Sequence, residues 1–273
     1  MEYGVRITGS RQLAADPRTL CPPEWREILP PGQLRALYFG TEFCESLLPG
    51  VEAAAEICSV ASQSGLEAVM LTPIVTDKGL KQLDLLLGQL TAKGWSPGIV
   101  FNDWGVLSLL RQRYPALIRR SGRLINRGLR DPRVVEAGPG NEAPTDRGER
   151  VRSMLATYGV SAVETDPDLA GGFLGAAAGM QRVLYLPYVF AASSRNCLVK
   201  AEGARTVGEC FTRGLRVACP GNCHDRWHRV RRDDTDLPLW RAGNTIFYEL
   251  PLRRAETALV QADRVVLFER PAP

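Results

Sequence analysis

Apolar residues fall in short blocks separated by glycine, proline and polar breaks, and successive blocks switch between strand-like and helix-like spacing. LRALYFG, Leu34 to Gly40, is an apolar, aromatic run ending on glycine and predicts a strand. VEAAAEICSVASQSG then puts Val51, Ala54, Ala55 and Cys58 on one helical face, so Cys58 reads as a small core residue. LEAVMLTP, Leu66 to Pro73, predicts a second strand, and TDKGLKQLDLLLGQLTAKG a helix capped by Thr76. The plan repeats at Gly98 to Phe101, a short strand, with a helix beginning at once through Val106, Leu107, Leu109 and Leu110. Farther on, ERVRSMLATYG predicts a helix, VSAVETD a strand, PDLAGGFLGAAAGM a closely packed helix, and RVLYLPYVFAASSRNC a strand running into a cysteine-rich stretch. NTIFYEL and ADRVVLFE predict two late strands that close the pattern.

Strands alternating with helices at this interval predict a parallel sheet, and about six to eight of them fit a closed α/β barrel better than a small open sheet. The expectation is a single (β/α) TIM-barrel-like domain over residues 34–273. Residues 1–33, with Pro17, Pro22, Pro23, Pro30 and Pro31, are expected to be an irregular lead-in, with Cys21 structural. VVEAGPGNEAPTDRGER predicts a loop or linker.

A chain of 273 residues can bury one core of this size, and 45% apolar with 23% charged residues is ordinary for a soluble protein. No apolar run approaches the roughly 20 residues of a membrane helix, so no span is expected and a cytoplasmic location is. The net charge of +4 does not by itself argue for nucleic acid. Local charge is less even: Arg111, Arg113, Arg119, Arg120, Arg123, Arg127, Arg130 and Arg133 crowd one segment, and Arg226, Arg229, Arg231 and Arg232 follow the last cysteine. Such density can hold phosphates, RNA or an acidic substrate, or form a solvated or partner-binding face.

The cysteines carry the strongest chemical signal. Cys197, Cys210, Cys219 and Cys223 lie in one stretch, ending in C-x3-C. Disulfides are disfavoured, because MEYGVRITGSRQLAADPRTL has neither the charged and apolar regions nor the cleavage site of a secretory leader. Structural zinc usually shows two close ligand pairs, and only Cys219 and Cys223 make one, with His224 and His228 as substitutes. A four-iron cluster accepts irregular spacing and a distant ligand, which favours it; unligated thiols are the plain alternative. Cys44 and Cys197 both follow predicted strands and would share one face of a parallel barrel, so Cys44 is preferred to Cys21 or Cys58 as the distant ligand.

YFGTEFC around Cys44, FNDWGVLSLL, GRLINRGLRDPR and the SRNC…CxxxC stretch together resemble the collagenase-like peptidase superfamily (peptidase family U, number thirty-two). The likeness runs over residues 34–227 and is greatest to its short members in oxygen-independent ubiquinone biosynthesis. The resemblance implies a barrel-like fold and a 4Fe-4S cluster on Cys44, Cys197, Cys219 and Cys223, with Cys210 as an extra cysteine that could replace either of the last two. It also implies a role in oxygen-independent hydroxylation, or related oxygen or sulfur transfer, on a small molecule or RNA, with a related protein subunit as partner. Proteolysis is not expected, since the two histidines both follow the cysteines and no nucleophile with a positioned base is evident. Asn102, Asp103, Arg123, Asn126 and Glu164 at strand ends would position a polar substrate, although Asp103 can equally cap the helix it precedes. A non-catalytic scaffold subunit with a structural metal is the alternative.

Overall fold

Eight parallel strands close into a barrel in the order β1-β12-β7-β6-β5-β4-β3-β2. In the computed structural model, which describes residues 1–7, 16–127, 151, 153–167, 179–197, 199–219, 221, 223 and 226–272, these strands are β1 (Glu2–Arg6), β2 (Gln33–Gly40), β3 (Glu67–Leu71), β4 (Gly98–Phe101), β5 (Arg119–Ser121), β6 (Val160–Thr165), β7 (Gln181–Leu186) and β12 (Arg264–Leu267). Between β7 and β12 the chain builds a second, antiparallel sheet of β8 (Tyr188–Ser193), β9 (Trp227–Val230), β10 (Leu239–Ala242) and β11 (Thr245–Glu249), ordered β8-β11-β10-β9. The α/β barrel expected from the alternation is the observed architecture.

Helices pack outside the barrel for the reason their spacing gives. α1 (Pro23–Ile28) buries Trp25. α2 (Val51–Gln63) buries Ala54, Cys58 and Ala61, and α3 (Asp77–Ala92) buries Leu83, Leu86, Leu87 and Leu90 in the same cluster as Leu37, Met70 and Ile99 of the strands. Each such leucine contributes about 1.5–3 kcal/mol of burial. Thr76 caps α3 by accepting from the Gly79 amide at 3.3 Å. α4 (Trp104–Arg113) follows β4 directly and buries Val106, Leu107 and Leu110, while α5 (Arg123–Asn126) is one short turn after β5.

Three expectations change. The segment read as a lead-in contributes β1, which pairs with both β2 and β12 and buries every residue from Tyr3 to Arg6. RVLYLPYVFAASS is two strands in two sheets, divided at Pro187, which offers no amide to continue a ladder. NTIFYEL lies in the second sheet as β11, not in the barrel. The predicted loop at 134–150 and most of the PDLAGGFLGAAAGM helix lie outside the described residues, as do His224, Arg130 and Arg133.

A plug of charges fills the end of the barrel where the strands start. Arg120 donates to Glu67 at 2.6 Å and Gln181 at 2.9 Å, and Arg264 to Glu67 at 2.8 Å and Glu2 at 2.9 Å.

Candidate metal centre at the barrel rim

The second sheet covers the end where the strands finish. Phe43, just beyond β2, packs on Phe190 of β8 and Phe247 of β11, with ring centroids 5.2 and 5.6 Å apart. β10 and β11 form a hairpin around Gly243 and Asn244, Gly243 taking the positive φ that such a two-residue loop demands. Asn244 then reaches out of the turn. Its Nδ2 donates to the Phe43 carbonyl at 2.6 Å and to the Ser194 carbonyl at 2.7 Å, clamping the residue before Cys44 to the loop that holds Cys197.

Four sulfurs gather there. Cys44 opens a 3₁₀ turn, Glu45–Leu47, and Leu47 packs on Cys197, Val199 and Cys223. Burial raises the Cys44 thiol above its ordinary pKa, and nearby Cys219 and Cys197 raise it further. The Cys223 thiol is pushed up to about 11, first by burial and then by Cys44, Cys219 and Cys197. Cys44, Cys197, Cys219 and Cys223, from two distant parts of the chain, are thus within reach of one another's charge, and all are free thiols. Among the described residues, no three His, Cys, Asp or Glu side chains are arranged to hold a metal ion.

The expected geometric reason is revised: Cys197 reaches this rim because β8 leaves the end of β7 and joins the covering sheet, not because it follows a barrel strand. Cys210 is on α6 (Val207–Arg216), half-buried, and is not among the groups that most raise Cys44 or Cys223. His228 is exposed on β9. Cys21 and Cys58 are buried elsewhere and belong to the core.

Behind the rim lies a closed polar network. Arg123 is fully buried, donating from Nε to Glu42 at 3.0 Å, from Nη2 to the same carboxylate, and from Nη1 to Asp166 at 2.8 Å. Its guanidinium stands over Tyr185 at 4.2 Å, with Phe43 and Phe268 farther out at 5.3 and 5.7 Å. Deeper in, Glu164 accepts from the Tyr38 hydroxyl at 3.3 Å and from the Tyr185 hydroxyl, with Arg120 at 3.8 Å. Burial drives its carboxyl up to about 7, against the pull of Arg120 and the Tyr185 bond.

The other predicted substrate residues are braces. Asn102 donates to the Thr72 carbonyl and accepts from the Leu124 amide, both at 2.9 Å. Asn126 donates to the Ser121 and Glu164 carbonyls at 2.9 and 2.7 Å. Asp103 caps α4, accepting from Gly105 at 2.7 Å, and also holds the Val75 amide at 3.3 Å. A substrate role for any of them requires exchanging these bonds. Nor do the described residues of the arginine-rich run make one basic face: Arg120 and Arg123 are interior, Arg113 pairs with Asp84, and Arg111 and Arg127 lie over the rings of Tyr158 and Phe190.

No family model matches the chain, and neither does any curated protein. A solved structure described as that of the U32 peptidase Mk0906 aligns over 100% of this chain and 94% of its own, with a TM-score of 0.46 and 13% identity. The likeness is too distant to assign an activity.

Sequence reasoning missed Asn244, Phe43 and Glu42. Gly243–Asn244 between two apolar runs is a hairpin signal, and it would have found the clamp's turn.

Proposed function

We propose that Cys44, Cys197, Cys219 and Cys223 hold an iron–sulfur cluster at the barrel rim, and that the chain serves oxygen-independent hydroxylation or a related group transfer on a small molecule or RNA, together with a partner subunit. The observation that supports this is the convergence of four free thiols from distant segments, with Cys197 and Cys219 raising the Cys44 thiol and Cys44, Cys197 and Cys219 raising that of Cys223. Four clustered thiolates, two of them buried, repel one another unless a cation neutralises them, and an all-sulfur set suits soft metals. Such a cluster supplies electron transfer, or Lewis acidity where one iron is left without a protein ligand. The chain's own part is to hold the two loops together through Asn244, to shield the sulfurs with Leu47 and Val199, and to keep water from the Arg123 network with the ring cover of Phe43, Phe190 and Phe247.

A second reading, a scaffold subunit with structural zinc, is favoured by the same donors, since four sulfurs also satisfy a tetrahedral zinc. Anaerobic purification followed by iron, sulfide and zinc analysis decides. Iron and sulfide with visible thiolate-to-iron absorbance, lost in Cys44→Ser and Cys197→Ser and kept in Cys210→Ser, supports the cluster. Stoichiometric zinc in colourless protein supports the scaffold; absence of both metals from protein prepared without oxygen removes either reading.

A further inference from the structure

α6 turns an apolar ridge to solvent. Val207, Phe211 and Leu215, four residues apart and so on one face, are 76%, 57% and 59% exposed, and Val217 just past the helix end is 43% exposed. A surface helix ordinarily turns such a stripe inward. Here the inward side is Gly214, where an added carbon would overlap the Asn196 carboxamide and lie 3.2 Å from the Cys197 carbonyl. The close approach of the backbone there leaves the larger side chains on the outer shoulder.

On the helix and the strand themselves the exposed charge is mainly basic; Asp233, Asp234 and Asp236 lie beyond the strand, with Asp234 paired to Arg232. Arg213 and Arg216 on α6, and Arg229 and Arg231 at β9, take part in no ion pair among the described residues. Glu209, the acid on α6, is occupied at the helix start, accepting from the Arg205 amide at 2.7 Å. Helix and sheet meet at one turn: Arg213 lies against Gly203, and Arg226, next to β9, pairs with Glu202 at 3.4 Å. β9 is an edge strand, bonded to β10 alone, and carries exposed Trp227.

We infer that α6 and the β9 edge form a docking surface for a partner protein that presents an apolar ridge or groove flanked by carboxylates. Charge selects this occupant. A second copy of the chain, docked by the same patch, would set arginines against arginines about the two-fold axis. An anionic membrane also attracts a basic amphipathic helix, but lipid cannot pair the backbone groups of a sheet edge, and a protein strand or loop can. The surface is read from exposure and charge and stands whether or not the thiols hold iron.

The test uses the full chain and two fluorescent synthetic amphipathic peptides with the same leucine face, one carrying glutamates and the other lysines. Anisotropy should show the acidic peptide binding about ten-fold tighter at low salt, an advantage that fades as salt screens it. Phe211→Ser with Leu215→Ser should abolish binding while leaving the melting temperature unchanged, both side chains being exposed. Should that pair unfold the protein, Val207→Ser and Arg213→Glu carry the test, the latter reversing the preference between peptides. Equal affinity for both peptides, no binding, binding only to phosphatidylglycerol vesicles, or self-association abolished by the same substitutions would each overturn the inference.

Discussion

Replacing Glu164 by glutamine should make the protein more stable, by an amount that grows with pH. The carboxyl is fully buried and its pKa rises from 4.5 to about 7, chiefly because burial penalises its charge. Below the unfolded value the group is protonated in both states and costs nothing. Between the two values the unfolded chain releases the proton and the folded chain retains it, so stability falls by about 1.4 kcal/mol per pH unit. Above the folded value both states are ionised, and the deficit levels off at about 3 kcal/mol. Glutamine has the same shape and does not titrate; its Oε1 accepts from one of the two tyrosine hydroxyls, and its Nε2 donates to the hydroxyl oxygen of the other. Arg120 keeps Glu67 and Gln181, so no cation is stranded. Urea unfolding of both proteins, followed by tryptophan fluorescence at constant ionic strength, should show the gap in favour of Glu164→Gln widening by about 2.5 kcal/mol between pH 5 and pH 8. Tyr38, Tyr185 and Arg120, which feel the Glu164 charge, titrate well above this pH range. A gap that stays constant, or one that narrows as pH rises, refutes the reasoning.

The interior ion network makes an opposite prediction for its cation: Arg123→Met leaves the buried Glu42 and Asp166 carboxylates under-compensated and should cost about 3–5 kcal/mol in the same unfolding assay. Arg123→Lys should recover little of this, because a single ammonium lacks the fork that serves both carboxylates. Asn244→Ala removes two hydrogen bonds and should cost about 1–3 kcal/mol, with faster amide exchange confined to the Cys44 and Cys197 loops; Asn244→Asp, which loses the N–H donor, should behave alike. Gly122→Ala should destabilise by about 1–3 kcal/mol, since its methyl would overlap the Asn102 carboxamide, and thermal melting reads this directly.

The barrel was legible where local pattern and burial agree. β2, β3, β4 and β6 fall on apolar runs followed by breaks, and Thr76 announces its helix by chemistry that acts within one turn. β5 was not legible. Arg119, Arg120 and Ser121 read as part of a solvated basic run, yet Arg120 points inward because Glu67 and Gln181, from strands far away in sequence, await it there. The same long-range pairing hides Arg123, whose partners Glu42 and Asp166 lie 81 and 43 residues away. For the thiol site, spacing named the sulfurs, and no window of sequence could show that a side chain in a late hairpin holds their two loops together. At strand tips the sequence does not separate two roles: a polar group there can meet a substrate or tie neighbouring loops, and Asn102 and Asn126 make bonds of the second kind.

The seam of the barrel joins β1 to β12, so one side of β1 waits for a partner strand made far later in the chain. Until residues 264–267 emerge, both margins of a seven-stranded sheet are bare, and the covering sheet is synthesised before the ring it sits on can shut. Vectorial synthesis therefore leaves a sticky nascent form exposed until β12 is made, and a chaperone that shields the β1 margin would act before closure or not at all.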